Sequence, residues 1–290
     1  MKTRLMLAVL LLLALFVTAC QPQGAALPQD PQEAVKTIAD KQKEVKTQHT
    51  DFNMTLSLKA DGLTGDMAQA GAFLKNFKAT LNVGGDVDNV KEEFALKGDL
   101  DLGPLTTMLT QGEDKLAFEV VKVGETIYSK ANVGNTAGEW NEQDAPKATT
   151  EVTQTNPFNP EMVMGLLKQS GKAEKLADEK IGDVDTYHYK VTLDPATLID
   201  SIVKLAESTG SSGAVDDAQL AEVKKYLKDA VLEVELWVGK QDLLIRQTKF
   251  HFNLNLKDVP EMQGATALID LLLTNTATKI NEPVTITAPK

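Results

Sequence analysis

Phe52-Asn53-Met54-Thr55-Leu56-Ser57-Leu58-Lys59 sets an apolar side chain at every second position and a polar one between. Successive side chains of an extended chain point to opposite sides, so this spacing predicts a β-strand with one apolar face and one wet face. The rhythm recurs in Phe77, Ala79, Leu81 and Val83, and again in Phe94, Leu96, Leu100 and Leu102. Further strands are expected at 115–123, 126–131, 184–193, 231–238, 243–257 and 277–287. Gly84-Gly85 and Gly239-Lys240-Gln241-Asp242 read as turns between neighbouring strands, which implies antiparallel, meandering pairing. So many strands with one apolar face argue for a single broad sheet with one covered side.

Before the first strand the period is helical. Asp30-Pro31-Gln32-Glu33 reads as an N-cap, a proline at the first helical position and a capping-box glutamate. Val35, Ile38, Ala39, Gln42 and Val45 follow as one narrow stripe, with the helix expected to end near Thr47. Three more helices are expected in the second half. One opens at Asn159-Pro160-Glu161, carries Met162, Val163, Leu166 and Leu167, and stops at Gly171. Another opens at Asp194-Pro195 with Leu198, Ile199, Ile202, Val203 and Leu205. After the flexible break 208–213, Asp216 or Asp217 caps a third, with Leu220, Val223, Leu227 and Ala230. Segments 60–72 and 132–156, the latter holding Trp140, read as loops. With neither an internal repeat nor a linker after residue 30, the pattern is that of a single α+β domain.

The amino terminus is different in kind. Lys2 and Arg4 precede thirteen apolar or near-apolar positions, Leu5 to Val17, and Val17-Thr18-Ala19-Cys20 follows. The apolar run is shorter than the ~20 residues a spanning helix needs, so it reads as a secretory leader. Val-Thr-Ala-Cys resembles the lipobox of bacterial lipoprotein precursors, which implies a diacylglycerol on the Cys20 thiol and cleavage before Cys20. The plainer alternative is a secretory peptide with a chance cysteine. The expected organisation is a signal peptide over 1–19, a lipidated tether over 20–30 and a folded domain over 31–290, anchored on the extracytoplasmic face of a membrane. Residues 21–29, with two prolines and a glycine, would span roughly 15–20 Å as a loose coil.

The leader takes two basic residues and no acids with it, leaving 28 Lys and Arg against 41 Asp and Glu, a formal charge of −13. So acidic a chain is a poor partner for nucleic acid and gains nothing from anionic headgroups. Cys20 is the only cysteine, so the domain has no disulfide and no thiolate metal site.

Catalytic signatures are absent from the sequence. No G-x-S-x-G, S-x-x-K or P-loop pattern occurs. His188 and His251 fall at outward parity in their strands and His49 at the end of the first helix, without metal-ligand spacing, so surface histidines are expected and no metal or cofactor. Asp99 and Asp101 come nearest to spaced oxygen ligands, yet lie on the polar side of a strand. Asn53-Met54-Thr55 fits a glycosylation acceptor but is mid-strand.

Several pieces together resemble the LppX/LprG-type lipoproteins, architectural relatives of the LolA and LolB carriers. They are the lipobox, the helix running into His49-Thr50-Asp51-Phe52, Ile127-Tyr128 with Glu139-Trp140, and residues 181–189. Leu236-Trp237-Val238 ahead of Leu244-Ile245-Arg246, and the closing Asn281-Glu282-Pro283-Val284-Thr285-Ile286-Thr287, complete the set. The resemblance implies a strongly curved antiparallel half-barrel packed on helices, with an apolar cavity for acyl chains, in a monomeric lipid or lipoglycan carrier. This chain is more acidic, with longer loops at 60–72 and 132–156, so no headgroup contacts carry over.

A curved sheet with Phe52, Met54, Leu56, Leu58, Phe77, Leu81, Phe94, Leu96, Tyr189, Leu236 and Phe252 inward would enclose more than narrow helices fill. Met162, Met164 and Leu166 would line its mouth. Alternation serves a filled core equally well. A non-enzymatic structural or regulatory module binding an envelope partner protein is therefore the competing function, and a hydrolase the third.

Overall fold

The computed structural model describes residues 26–64, 74–110, 116–134, 136–145, 171–195, 221, 224–257 and 264–290. Every described strand belongs to one antiparallel sheet of twelve strands. The strands are β1 (Thr47–Asp61), β2 (Phe77–Asp88), β3 (Glu93–Asp101), β4 (Leu116–Val123), β5 (Thr126–Val133) and β6 (Asn141–Asp144). They continue as β7 (Gly171–Lys175), β8 (Glu179–Ile181), β9 (Val184–Leu193), β10 (Val231–Gly239), β11 (Ile245–Leu256) and β12 (Thr266–Thr278). Their order is β6-β5-β4-β3-β2-β1-β12-β11-β10-β9-β7, with β8 also paired to β9. An open sheet of this breadth is consistent with a half-barrel. β6 and β7 are consecutive among the described strands yet form its two edges.

The first helix, α1 (Pro31–Gln42), starts as expected: the Asp30 side chain accepts hydrogen bonds from the backbone N–H groups of Gln32 and Glu33, at 2.8 and 3.0 Å. It ends at Gln42, short of Thr47, because the chain beyond is claimed by the sheet. The Lys46 N–H donates to Asn281 Oδ1, and the Asn281 N–H donates to the Thr47 carbonyl, so β1 already begins where the helix was expected to end. His49 therefore lies in β1.

The buried side of α1 is Ala34, Val35, Ile38 and Ala39. It packs against Tyr189, Val191, Leu232, Val234, Leu236 and Val238 of β9 and β10. Two glutamines pin the helix across that end of the sheet. Gln32 Oε1 accepts from the Ala173 N–H on edge strand β7, while Gln42 accepts from the Ile245 N–H and donates to the Leu243 carbonyl. The ten residue steps from one to the other rise about 15 Å along a helix axis, close to the ~14 Å of three inter-strand steps.

Several expectations are corrected. Gly84-Gly85 is the interior of β2, not a turn, whereas Gly239–Asp242 is the turn between β10 and β11. A Cβ on Gly85 would sit 2.0 Å from the Ala95 carbonyl oxygen, so the approach of β3 accounts for that glycine. The last strand is β12 at 266–278, and 279–290 is not strand. Leu271, Leu272 and Leu273 make that segment apolar on both faces, which hides the two-residue period, and Lys279 and Asn281 end it with positive φ values of 49° and 61°. The stretch 132–156 contains β6, and β7, β8 and a short helix α2 (Pro104–Leu109) add to the expected elements. The helices expected from Asn159 and beyond Pro195 lie outside the described residues; of the third, residues 221 and 224–227 are helical.

Candidate functional site

Residues directly opposite each other in an antiparallel pair share a face of the sheet. The register therefore decides which of the apolar residues assemble. Across ten strands one continuous row reads Ala173, Val191, Val234, Phe250, Leu273, Met54, Leu81, Leu100, Leu116 and Val133. Not one is polar. The neighbouring rows bring Phe52, Leu56 and Leu58 of β1 to the same face, with Phe77 of β2, Phe94 and Leu96 of β3, Leu236 of β10, Tyr189 of β9 and Phe252 of β11. All eleven candidates from β1, β2, β3, β9, β10 and β11 thus lie on one side.

Their coverage differs along the sheet. Under α1 the face is sealed: Leu236 is 0% exposed and Tyr189 2%. Burial raises the Tyr189 phenol above its usual range, and the nearby Tyr187 and Asp178 add to the effect. Away from α1, Phe52, Met54, Leu56, Leu58, Leu81, Phe94 and Leu96 are only half-buried, whereas Phe252, also half-buried, packs against the sealed core. A contiguous half-exposed apolar face marks an interaction surface rather than scattered surface leucines. Cys20, Met162, Met164 and Leu166 lie outside the described residues.

The opposite face is polar, and its chemistry corrects one expectation. His188 does share a face with Lys190 and Thr192, but it is 4% exposed instead of solvated. Trp237 stacks on its ring at 4.2 Å, and the Trp237 Nε1–H donates to Glu179 of β8, which closes over it. The Nε2 atom of His188 lies 2.9 Å from Glu235, whose second oxygen accepts from Lys249 at 3.1 Å. Burial pushes the Glu235 carboxyl up, but Lys249, and then His188, outweigh burial and hold it below its ordinary value. Periodicity could give the parity of His188 but not the tryptophan that lies on it.

His251 is half-buried, 3.5 Å from Asp270, and His49 Nδ1 lies 2.6 Å from Asp86. Asp99 accepts from Asn82, and Asp101 accepts from the Gly103 N–H at the entry to α2. Among the described residues no three His, Cys, Asp or Glu side chains gather as metal ligands, and no helix is long and apolar enough to cross a membrane.

No known family profile matches the chain, and no curated sequence matches it. Among solved structures it is similar to the lipoprotein LppX of Mycobacterium tuberculosis, with 13% identity over 88% of this chain and 98% of that one, at a TM-score of 0.40. It is also similar to LprF of Mycobacterium bovis, with 14% identity over 90% and 99% of the two chains and a TM-score of 0.39. A putative outer-membrane lipoprotein-sorting protein domain from Vibrio parahaemolyticus matches at 10% identity over 88% and 95%, with a TM-score of 0.23.

Proposed function

We propose that this protein is an exported lipoprotein, tethered through Cys20, that holds acyl chains of a lipid or lipoglycan against the apolar face of its sheet and carries them within the cell envelope. The observation that supports this reading is the ten-strand apolar row, sealed by α1 at one end and half-exposed beyond it. Each methylene taken from water contributes about 0.8 kcal/mol, so a hydrocarbon chain is the ligand this face favours. In this reading residues 31–290 act as one monomeric unit, binding requires no cofactor, and release requires no bond to be broken.

The test is mass spectrometry of lipid extracted from the purified protein, with displacement of a fluorescent fatty acid in solution. Co-purifying lipid and saturable displacement are expected. An apo protein that neither retains lipid nor takes up the probe would end the carrier reading.

The alternative, a non-enzymatic module that binds an envelope partner protein, draws on the filled core beneath α1, where Leu232, Leu236 and Val238 are fully buried. It requires the same packing to continue over β1–β5. The lipid extraction separates the two.

A further inference from the structure

On the polar face, β1 to β5 carry two adjacent rows. One reads Asn53, Asn82, Asp99, Ala117 and Asn132; the next reads Asp51, Gly84, Lys97, Glu119 and Lys130. Between them lies an open trough of about 540 Å3. Four inter-strand steps make it roughly 19 Å long. Its floor is bare because Gly84 and Ala117 present almost no side chain.

Gly84 has no structural reason to be glycine. Its φ is outside the left-handed region, and a Cβ there would meet only the tip of the Asp51 carboxylate, at 2.9 Å, with the next atom at 3.8 Å. Gly85 and Gly98, by contrast, face backbone oxygens at 2.0 and 2.3 Å from an added Cβ. A glycine inside a strand weakens it and marks a bulge or the close approach of a ligand or another backbone. β2 pairs with β1 and β3 through Gly84 without a register shift, and the nearest backbone atom to an added Cβ is the Thr50 carbonyl oxygen, at an ordinary contact distance of 3.8 Å.

The walls identify the ligand class. Asn53 donates to Asn82, and Asn82 donates to Asp99, each at 2.8 Å, so the row is held as a fixed array of amide and carboxylate groups. Carboxamides donate and accept at once, as hydroxyl-rich ligands require. Asp51, Asp99 and Glu119 outnumber Lys97 and Lys130, and Lys130 is already 3.3 Å from Glu119, which disfavours phosphate or an acidic sugar. At the β5 end the Lys130 ammonium sits 5.4 Å from the centre of the half-buried Trp140 ring. We propose that this trough binds a neutral oligosaccharide chain, laid across β1–β5 with Gly84 beneath it and Trp140 at one end. The site is on the opposite face from the acyl-binding surface and does not depend on it.

The test is titration of the full-length protein in mild detergent with maltohexaose and chitohexaose, followed by calorimetry and tryptophan emission. Saturable binding to at least one is expected, with an emission change that W140F removes. G84V fills the floor and is expected to weaken binding about tenfold or more while leaving the thermal midpoint unchanged or raised. N82A leaves the floor open and is expected to weaken binding about fivefold through the lost hydrogen bonds. Fatty-acid displacement should be the same in G84V as in wild type, which separates failure here from failure of the lipid reading. No saturable signal with either sugar, or wild-type affinity in G84V, overturns the proposal; should G84V lose its fold, wild-type affinity in N82A overturns it.

Discussion

Glu235 and Gln42 show what single residues contribute. The folded Glu235 carboxyl titrates below its ordinary value of 4.5 because Lys249 and His188 outweigh its burial. A group depressed by folding adds stability that is present above the unfolded value and lost as pH falls through the folded one. E235Q is therefore expected to be less stable than wild type near neutrality, with the gap in urea midpoint closing as pH falls below the ordinary value of 4.5 and through the lower folded one. Gln42 falls in the apolar stripe of α1 yet carries the polar pair that fixes the helix to the Leu243–Ile245 turn. Q42A leaves a part-buried N–H and carbonyl without partners and is expected to cost about 1–3 kcal/mol, read in denaturant unfolding.

At the scale of the element, α1 is a local structure stabilised from outside. Twelve residues are marginal for an isolated helix in water, so its packing on β9 and β10 decides its stability. Ile38 is 0% exposed in that contact, and I38A is expected to lose about 2–4 kcal/mol. D30A removes the N-cap acceptor and should cost only about 1 kcal/mol. Thermal unfolding of the pair ranks the two effects. The start of α1 was legible because a cap is local chemistry, as were β9 and β10, whose alternation is clean. Its end was not, since Asn281, more than two hundred residues away, supplies the partner that turns residue 46 toward the sheet.

For the whole molecule, the apolar face away from α1 spans six strands, β5 through β1 to β12. That is on the order of 24 Å across, far wider than one helix covers. A hydrocarbon ligand gains about 0.8 kcal/mol per methylene against an association cost of roughly 4–15 kcal/mol. Short acyl chains are thus expected to bind too weakly to detect, and affinity should climb severalfold with each added carbon over a fatty-acid series in the displacement assay. L56E places a charge in the middle of the face, where Leu56 is flanked by Ala79 and Leu271. It is expected to abolish fatty-acid uptake with little change in the folded state, because Leu56 is only half-buried. Far-UV circular dichroism alongside the displacement assay checks both halves.

The sequence by itself determined which residues alternate and where the first helix begins, because strand parity and capping are settled between near neighbours. It also determined which face of the sheet His188 shares. It could not place β12 between β1 and β11, since three successive leucines erase the period that would have revealed a strand. It could not show that ten apolar residues from ten strands form one unbroken row, or that Trp237 closes over His188. Those are properties of register, set by hydrogen bonds between segments more than two hundred residues apart, and only the folded sheet decides them.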